Sequence, residues 1–182
     1  MIVYGSLYVV VVLLPVLVVR ERELFRRALK AYLFVMTVAY VGFLLYPTAA
    51  PRPEDVAGTG FAVWTLRLAY SLDPPYNCFP SLHVAYAFVS ALTSYRVHRG
   101  VGAVAAGWAA LIGVSTLYTK QHYVVDVIAG ALAAYVAYVF FLRNHPRETV
   151  AELDRRRAPV RALAAIGIFG FMIASFWVAY QL

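Results

Sequence analysis

The chain has 182 residues, of which 63% are hydrophobic and 14% charged, against about 45–50% apolar and about 25% charged in an average soluble domain. Its formal charge is +7, yet no basic patch interleaved with aromatics marks a nucleic-acid surface. The single cysteine, Cys78, rules out an internal disulfide framework.

Apolar blocks of near-spanning length organise the chain, and no internal repeat or low-complexity tract interrupts them. The first predicted span, Ile2–Val19, is followed by Arg20, Arg22, Arg26, Arg27 and Lys30. It lacks the basic start and small-residue cleavage site of a signal peptide, so it reads as a retained N-out helix. The second runs Ala31–Tyr46. The longest connection, Pro47–Pro80, carries Arg52 and an apolar stretch from Phe61 to Tyr70. Trp64 and Tyr70 suit that stretch to a water–lipid boundary bordering a lipid entrance, or to a loop packed over the bundle. The third and fourth spans, Ser81–Tyr95 and Val101–Leu117, rest on small residues that favour close packing between helices. Arg96 and Arg99 lie between them. The fifth, Tyr123–Leu142, leads into Arg143 and Arg147 and then Thr149-Val150-Ala151-Glu152, which has the pattern of a capping box opening a short surface helix. The sixth is Ala162–Tyr180. The expected architecture is one all-α polytopic membrane domain over residues 1–182 with about six spans.

Arginine and lysine settle its orientation. Arg20 to Lys30, Arg96, Arg99 and the arginines from Arg143 to Arg161 share one face, while Arg52, Arg67 and Lys120 hold the other. The positive-inside rule places the first set in the cytoplasm and both termini outside. The compact loops suggest a prokaryotic source, and the oligomeric state is not readable.

The extracytoplasmic face carries the chemistry. Pro80 and Ser81 form a plausible start of the third helix, whose free N–H groups attract an anion, and His83 sits in its first turn. Alone, Ser81 reads first as a simple cap and His83 as a packed or interfacial residue. His122 and Asp126 are one helical turn apart, so they share a face. An ionisable residue inside an apolar span is by default a functional candidate. A carboxylate on one imidazole nitrogen fixes the tautomer and frees the other nitrogen to attack, although a structural His–Asp pair has the same spacing. With Lys120 and Arg52 nearby, the set fits a phosphate. His83, His122 and Asp126 also match a two-histidine, one-carboxylate metal triad, but His98 and His145 fall on the cytoplasmic side and leave no further ligands.

These residues resemble the type 2 phosphatidic acid phosphatase superfamily. Its motifs are Lys-x6-Arg-Pro, Pro-Ser-Gly-His and Ser-Arg-x5-His-x3-Asp. Arg52-Pro53 matches the end of the first, with Leu45 at the lysine position. Pro80-Ser81-Leu82-His83 matches the second, and Ser115, His122 and Asp126 match the third, with Thr116 in place of arginine. Phe79 to His83 together with Lys120 to Asp126 is similar to the branch that contains inositol phosphorylceramide synthases. The resemblance implies His122 as nucleophile, Asp126 as its orienter, His83 as general acid, and Arg52, Ser81 and Ser115 as phosphate ligands. Lys120 is expected to replace part of the missing charge. It implies a lipid phosphate substrate, no metal or other cofactor, and transfer to water or to an alcohol. A transporter of an anionic lipid is the competing reading, since transporters also bury such charges.

Overall fold

Ser6 divides the first apolar block. In the computed structural model of the chain, α1 (Ile2–Gly5) and α2 (Leu7–Val18) meet at this serine. Its hydroxyl donates to the Val3 carbonyl at 2.6 Å and accepts the Trp108 indole N–H at 2.8 Å. A serine bonding back to its own helix competes with the helical ladder, so the continuous span expected over Ile2–Val19 is interrupted. The structure describes every residue from 1 to 182 except Glu54, and for Tyr8, Val10, Val11, Val12 and Glu148 the backbone alone.

The second apolar block is the later part of a longer helix, α3 (Arg22–Leu45). It reaches back into the arginine-rich segment because the Glu21 carboxylate accepts the N–H groups of Glu23 and Leu24, satisfying two of the four donors a helix start leaves open. A Glu23–Arg27 pair at 3.0 Å supports the first turns. The Phe61 stretch forms α4 (Phe61–Leu72), which buries no residue and leans on α8 through Phe61 against Trp177 and Trp64 against Phe176. Then follow α5 (Leu82–Val97), α6 (Arg99–Tyr118) and α7 (Val124–Ala137), the last continuing through a π-helical turn over Tyr138–Leu142. A single 3-10 turn, Arg147–Thr149, precedes α8 (Glu152–Gln181).

Two expectations about this last region are corrected. Thr149 does not cap a helix, because its hydroxyl donates to the Pro146 carbonyl and meets His145 Nε2. Ala151 occupies the cap position without a side-chain bond, and the short surface helix is the start of α8 itself. At ~1.5 Å per residue its 30 residues extend well beyond a hydrocarbon core ~30 Å thick.

The result is an all-α membrane bundle. The helices α3, α6, α7 with its π turn, and α8 are long and apolar enough to cross a bilayer. At 12 and 16 residues, α2 and α5 fall short of that length. The central element is α5, packed against α2, α3, α6 and α7. Nine of its side chains are buried, Ala85, Ala87, Ser90, Ala91 and Ser94 among them. The facing side of α6 is Gly102, Ala105, Ala109 and Gly113. In lipid, where water does not drive helices together, such small residues gain association through van der Waals contact at short range.

The far end of the bundle from the Pro47–Pro80 connection holds the two histidines without motif partners. His145 pairs with Glu21 at 3.1 Å, and His98 caps α6 by accepting the Val101 N–H at 3.2 Å. The near end holds the site, and one glycine sets its geometry. A Cβ on Gly130 of α7 would lie 2.4 Å from the Ser81 carbonyl oxygen, a backbone atom that has no rotamer to escape by. The Gly130→Ala variant is expected to lose about 1–3 kcal/mol of stability through overpacking and to lose activity as α5 and α7 separate. Gly107→Ala, with nothing within 4 Å of the added carbon, serves as the control, and thermal unfolding in detergent reads both.

Candidate active site

The Pro47–Pro80 connection closes on itself at its two ends. Ala50 N–H donates to the Pro75 carbonyl and Asn77 N–H to the Thr48 carbonyl, each at 2.9 Å. The Thr48 hydroxyl accepts the N–H groups of Cys78 at 3.1 Å and Phe79 at 3.0 Å. This clip fixes the Cys78 carbonyl, which accepts a hydrogen bond from His122 Nδ1 at 2.9 Å. On the other side, Ser81 N–H donates to the Asp126 backbone carbonyl at 3.0 Å and ties the start of α5 to the first turn of α7. The Ser81 hydroxyl accepts the Val84 N–H, so the expected cap is formed.

The two histidines meet. His83 Nδ1 lies 3.0 Å from His122 Nε2, with the rings nearly edge to face. A carbonyl oxygen only accepts, so the contact with Cys78 places the proton of His122 on Nδ1 and the lone pair on Nε2. Asp126 Oδ2 is 3.6 Å from the same Nδ1 and accepts the Tyr123 N–H at 2.8 Å. The carboxylate therefore supplies charge beside the imidazole, and the backbone carbonyl supplies the close bond. Both side chains are almost wholly buried, at 5% and 3% exposure.

A cavity of about 500 Å³ opens beside the pair. Its polar wall includes Arg52, Asp73, Asn77, Gln121, His83 and His122, and its apolar wall Leu7, Phe43, Leu82 and Tyr86. The Arg52 guanidinium donates to the Asp73 carbonyl and to Gln121 Oε1, and lies 4.7 Å above the Tyr70 ring. The Tyr70 hydroxyl donates to the Thr119 carbonyl at 3.0 Å. Burial pushes this phenol above its usual range, against the pull of Arg52, and so keeps it a donor. Two donors on the residues of this wall, Arg52 Nε and Gln121 Nε2, have no acceptor among the described residues. Unpaired buried donors are costly, and an anion with several oxygens fits them.

The structure does not bring the other expected phosphate ligands into this cavity. Lys120 is exposed and has φ +52°. It ends α6 as the left-handed residue of a Schellman turn, in which Lys120 N–H reaches the Leu117 carbonyl and Gln121 N–H the Thr116 carbonyl. That turn buries Gln121 and directs Lys120 away. The Ser115 hydroxyl is spent on the Ile112 carbonyl at 2.7 Å, and Ser81 is fully buried as a cap. Sequence reasoning missed Asp73, Gln121 and the Cys78 carbonyl. Asp73 gave no periodic or motif signal, and the other contributors act from a turn and from the backbone.

Burial, with the nearby Asp126 charge second, pushes the Cys78 thiol up, which keeps it neutral and unreactive. The Cys78→Ala variant keeps the carbonyl and is expected to retain activity within about threefold, under ~0.7 kcal/mol of transition-state stabilisation. Wild-type activity is expected to withstand maleimide. A larger loss in either assay would give the thiol a role that the carbonyl alone does not fill.

Comparisons with known proteins identify the chain's family. The model of the PAP2 superfamily matches residues 1–140, ending before α8. A PA-phosphatase related-family protein of Dictyostelium discoideum is 31% identical over 97 residues, covering 47% of this chain and 18% of that protein. A phosphoinositol dihydroceramide synthase of Bacteroides thetaiotaomicron is 25% identical over 143 residues, covering 67% of this chain and 47% of the synthase. An uncharacterized protein of Methanocaldococcus jannaschii is 40% identical over 97 residues, covering 53% of this chain and 40% of its own. The chain thus spans less than half the length of these curated relatives. No solved structure matches it. With two histidines, an aspartate and an arginine at the family's motif positions and a family match over most of its length, the chain belongs to the PAP2 superfamily.

Proposed function

We propose that the protein is a membrane enzyme that cleaves a lipid phosphomonoester or diphosphate through a phosphohistidine on His122. The observation that carries this reading is the pairing of His83 Nδ1 with a lone pair on His122 Nε2 at 3.0 Å, beside a cavity lined by Arg52 and Gln121, each with a buried donor that has no acceptor among the described residues.

A phosphoryl group in the cavity takes the place of the contact between the imidazoles. His122 Nε2 forms a bond to phosphorus as the ester P–O bond breaks, and the leaving oxygen takes the proton of His83 Nδ1. Water then attacks phosphorus and returns a proton to His83, and the N–P bond breaks with its electron pair returning to His122. Arg52 and Gln121 hold the equatorial oxygens, where charge accumulates. The Leu7, Phe43, Leu82 and Tyr86 wall takes the hydrocarbon beyond the phosphate.

The second reading replaces water with an alcohol. It is favoured by the Bacteroides relative, a synthase of phosphoinositol dihydroceramide that aligns with two thirds of the chain. The first half-reaction is unchanged, so one experiment separates the two. Purified protein is given phosphatidate, phosphatidylglycerol phosphate and a polyprenyl diphosphate, with and without inositol. Free phosphate in plain buffer marks a hydrolase, and product that forms with the alcohol alone marks a transferase. Both outcomes require a radiolabelled, acid-labile adduct on the protein. A transporter gives none. Turnover is expected to persist in EDTA, and complete loss restored by Mg²⁺ would overturn this part of the mechanism.

The arginine-rich end is assigned to the cytoplasm and the catalytic end to the opposite side, in a multi-pass arrangement of six crossings. Cysteines introduced at the exposed Thr59 and Arg99 test it. A membrane-impermeant maleimide is expected to label the first in intact cells and the second after lysis.

A further inference from the structure

His83 has a carboxylate of its own. Its Nε2 lies 3.6 Å from Asp73 Oδ2, the same separation that relates His122 Nδ1 to Asp126 Oδ2. The four groups form one chain, Asp73–His83–His122–Asp126, in which each imidazole faces the other through one nitrogen and a carboxylate through its second. The His122–Asp126 pair is sealed, whereas His83 and Asp73 keep 21% and 28% exposure and line the cavity.

Asp73 is fixed from two directions. Its carbonyl accepts from Arg52, and its Oδ2 accepts the Tyr4 hydroxyl at 3.0 Å. Tyr4 is buried, and its ring lies 5.8 Å from that of His83. A carboxylate held at both its backbone and its oxygen is placed for a purpose that a surface loop residue does not have. The alternative purpose is anchorage of α1 through Tyr4.

We propose that Asp73 is the positioning residue of the general acid. It orients His83 and stabilises its imidazolium, so that Nδ1 presents the proton to the leaving oxygen. The logic is that of the carboxylate in a nucleophile–histidine–aspartate triad, applied here to the acid. When His83 gives up its Nδ1 proton, the proton on Nε2 remains shared with Asp73. When water attacks the phosphohistidine, Nδ1 regains a proton and Asp73 offsets the new charge. The groups facing His83 are His122, Asp73, Tyr4 and Arg52, and Asp73 is the one carboxylate among them.

The proposal rests on the phosphohistidine reading above and is tested so that the two fail separately. Wild type, Asp73→Asn and Asp73→Glu are assayed on an alkyl phosphate, phenyl phosphate and 4-nitrophenyl phosphate. The nitrophenolate leaves without needing a proton, and the alkoxide does not. The Asp73→Asn variant is expected to lose about 10²-fold on the alkyl ester, the lower end of general-acid effects, and much less on the nitrophenyl ester, so that its dependence on leaving-group basicity steepens. Asp73→Glu, which keeps the carboxylate, is expected to recover part of the alkyl activity. Equal losses on all three esters in folded Asp73→Asn, or no loss on any, overturn the proposal and leave Asp73 as the anchor for Tyr4. If Asp73→Asn does not fold, Asp73→Glu decides by the same comparison: a leaving-group dependence unchanged from wild type despite reduced turnover overturns it. Wild-type protein that turns over no ester and forms no labelled adduct overturns the underlying reading and takes this one with it.

Discussion

Replacing His122 with alanine is expected to lower turnover by about 10⁴- to 10⁶-fold, the range seen when a covalent nucleophile is removed, and to eliminate the acid-labile phosphoryl adduct. Replacing His83 with alanine is expected to cost about 10²- to 10⁴-fold, the range for a general acid, and to leave a measurable adduct when the leaving group is a nitrophenolate. The asymmetry follows from the contact between them. One imidazole has its Nδ1 proton committed to the Cys78 carbonyl, so its Nε2 lone pair points at the cavity, and the other faces that lone pair at 3.0 Å. In the proposed mechanism the first bonds to phosphorus and has no substitute within reach. The second moves a proton, which a good leaving group makes unnecessary. Adducts of equal yield in His122→Ala and wild type would reassign the nucleophile, and an adduct absent from both variants with every ester would give the two histidines a single shared role.

Much of this architecture was legible in the residues. The apolar blocks located the helices, and the arginine bias separated the end bearing His98 and His145 from the end bearing His83 and His122. The spacing of His122 and Asp126 brought the two within ion-pair reach, but not through a shared helix face: Asp126 sits in the first turn of α7, and His122 lies just before its cap residue Tyr123. Three kinds of feature were not legible. Helix ends set by capping lay outside the hydropathy signal, as where Glu21 extends α3. Backbone groups carry no residue-type signature, and the group that fixes the tautomer of His122 is the carbonyl of Cys78. Chain proximity also misleads at turns. Lys120 is two residues from His122, but the Schellman turn exposes it, while its neighbour Gln121 is buried against Arg52. Asp73 was missed for a related reason: it is ten positions from His83 in an irregular segment, which tertiary bonds from Tyr4, Thr48, Ala50 and Arg52 hold at the cavity.

Arg52 shows how far the site depends on shape as well as charge. It is the cavity's one arginine, where the family motifs supply more cations. Its guanidinium is shared among the Asp73 carbonyl, Gln121 Oε1 and the face of Tyr70, and Nε is buried without an acceptor among the described residues. A planar fork meets all of these at once, and a lysine ammonium has no such geometry. Arg52→Ala is therefore expected to reduce kcat/KM by about 10²- to 10³-fold, comparable to the loss of a preorganised oxyanion donor. Arg52→Lys is expected to regain less than tenfold of that. Arg52→Ala leaves the Gln121 oxygen without its donor, at about 1–3 kcal/mol for a buried unsatisfied group, and thermal unfolding in detergent separates that cost from the kinetic one. If Arg52→Lys worked at wild-type rates, a point charge would suffice, and the links from Arg52 to Asp73 and Gln121 would be scaffolding. If both variants lose rate in parallel with the nitrophenyl ester as well as the alkyl ester, the arginine acts on the phosphoryl oxygens themselves. That pattern is the opposite of the one expected for Asp73, so the two residues, joined by one hydrogen bond, are distinguishable by leaving group alone.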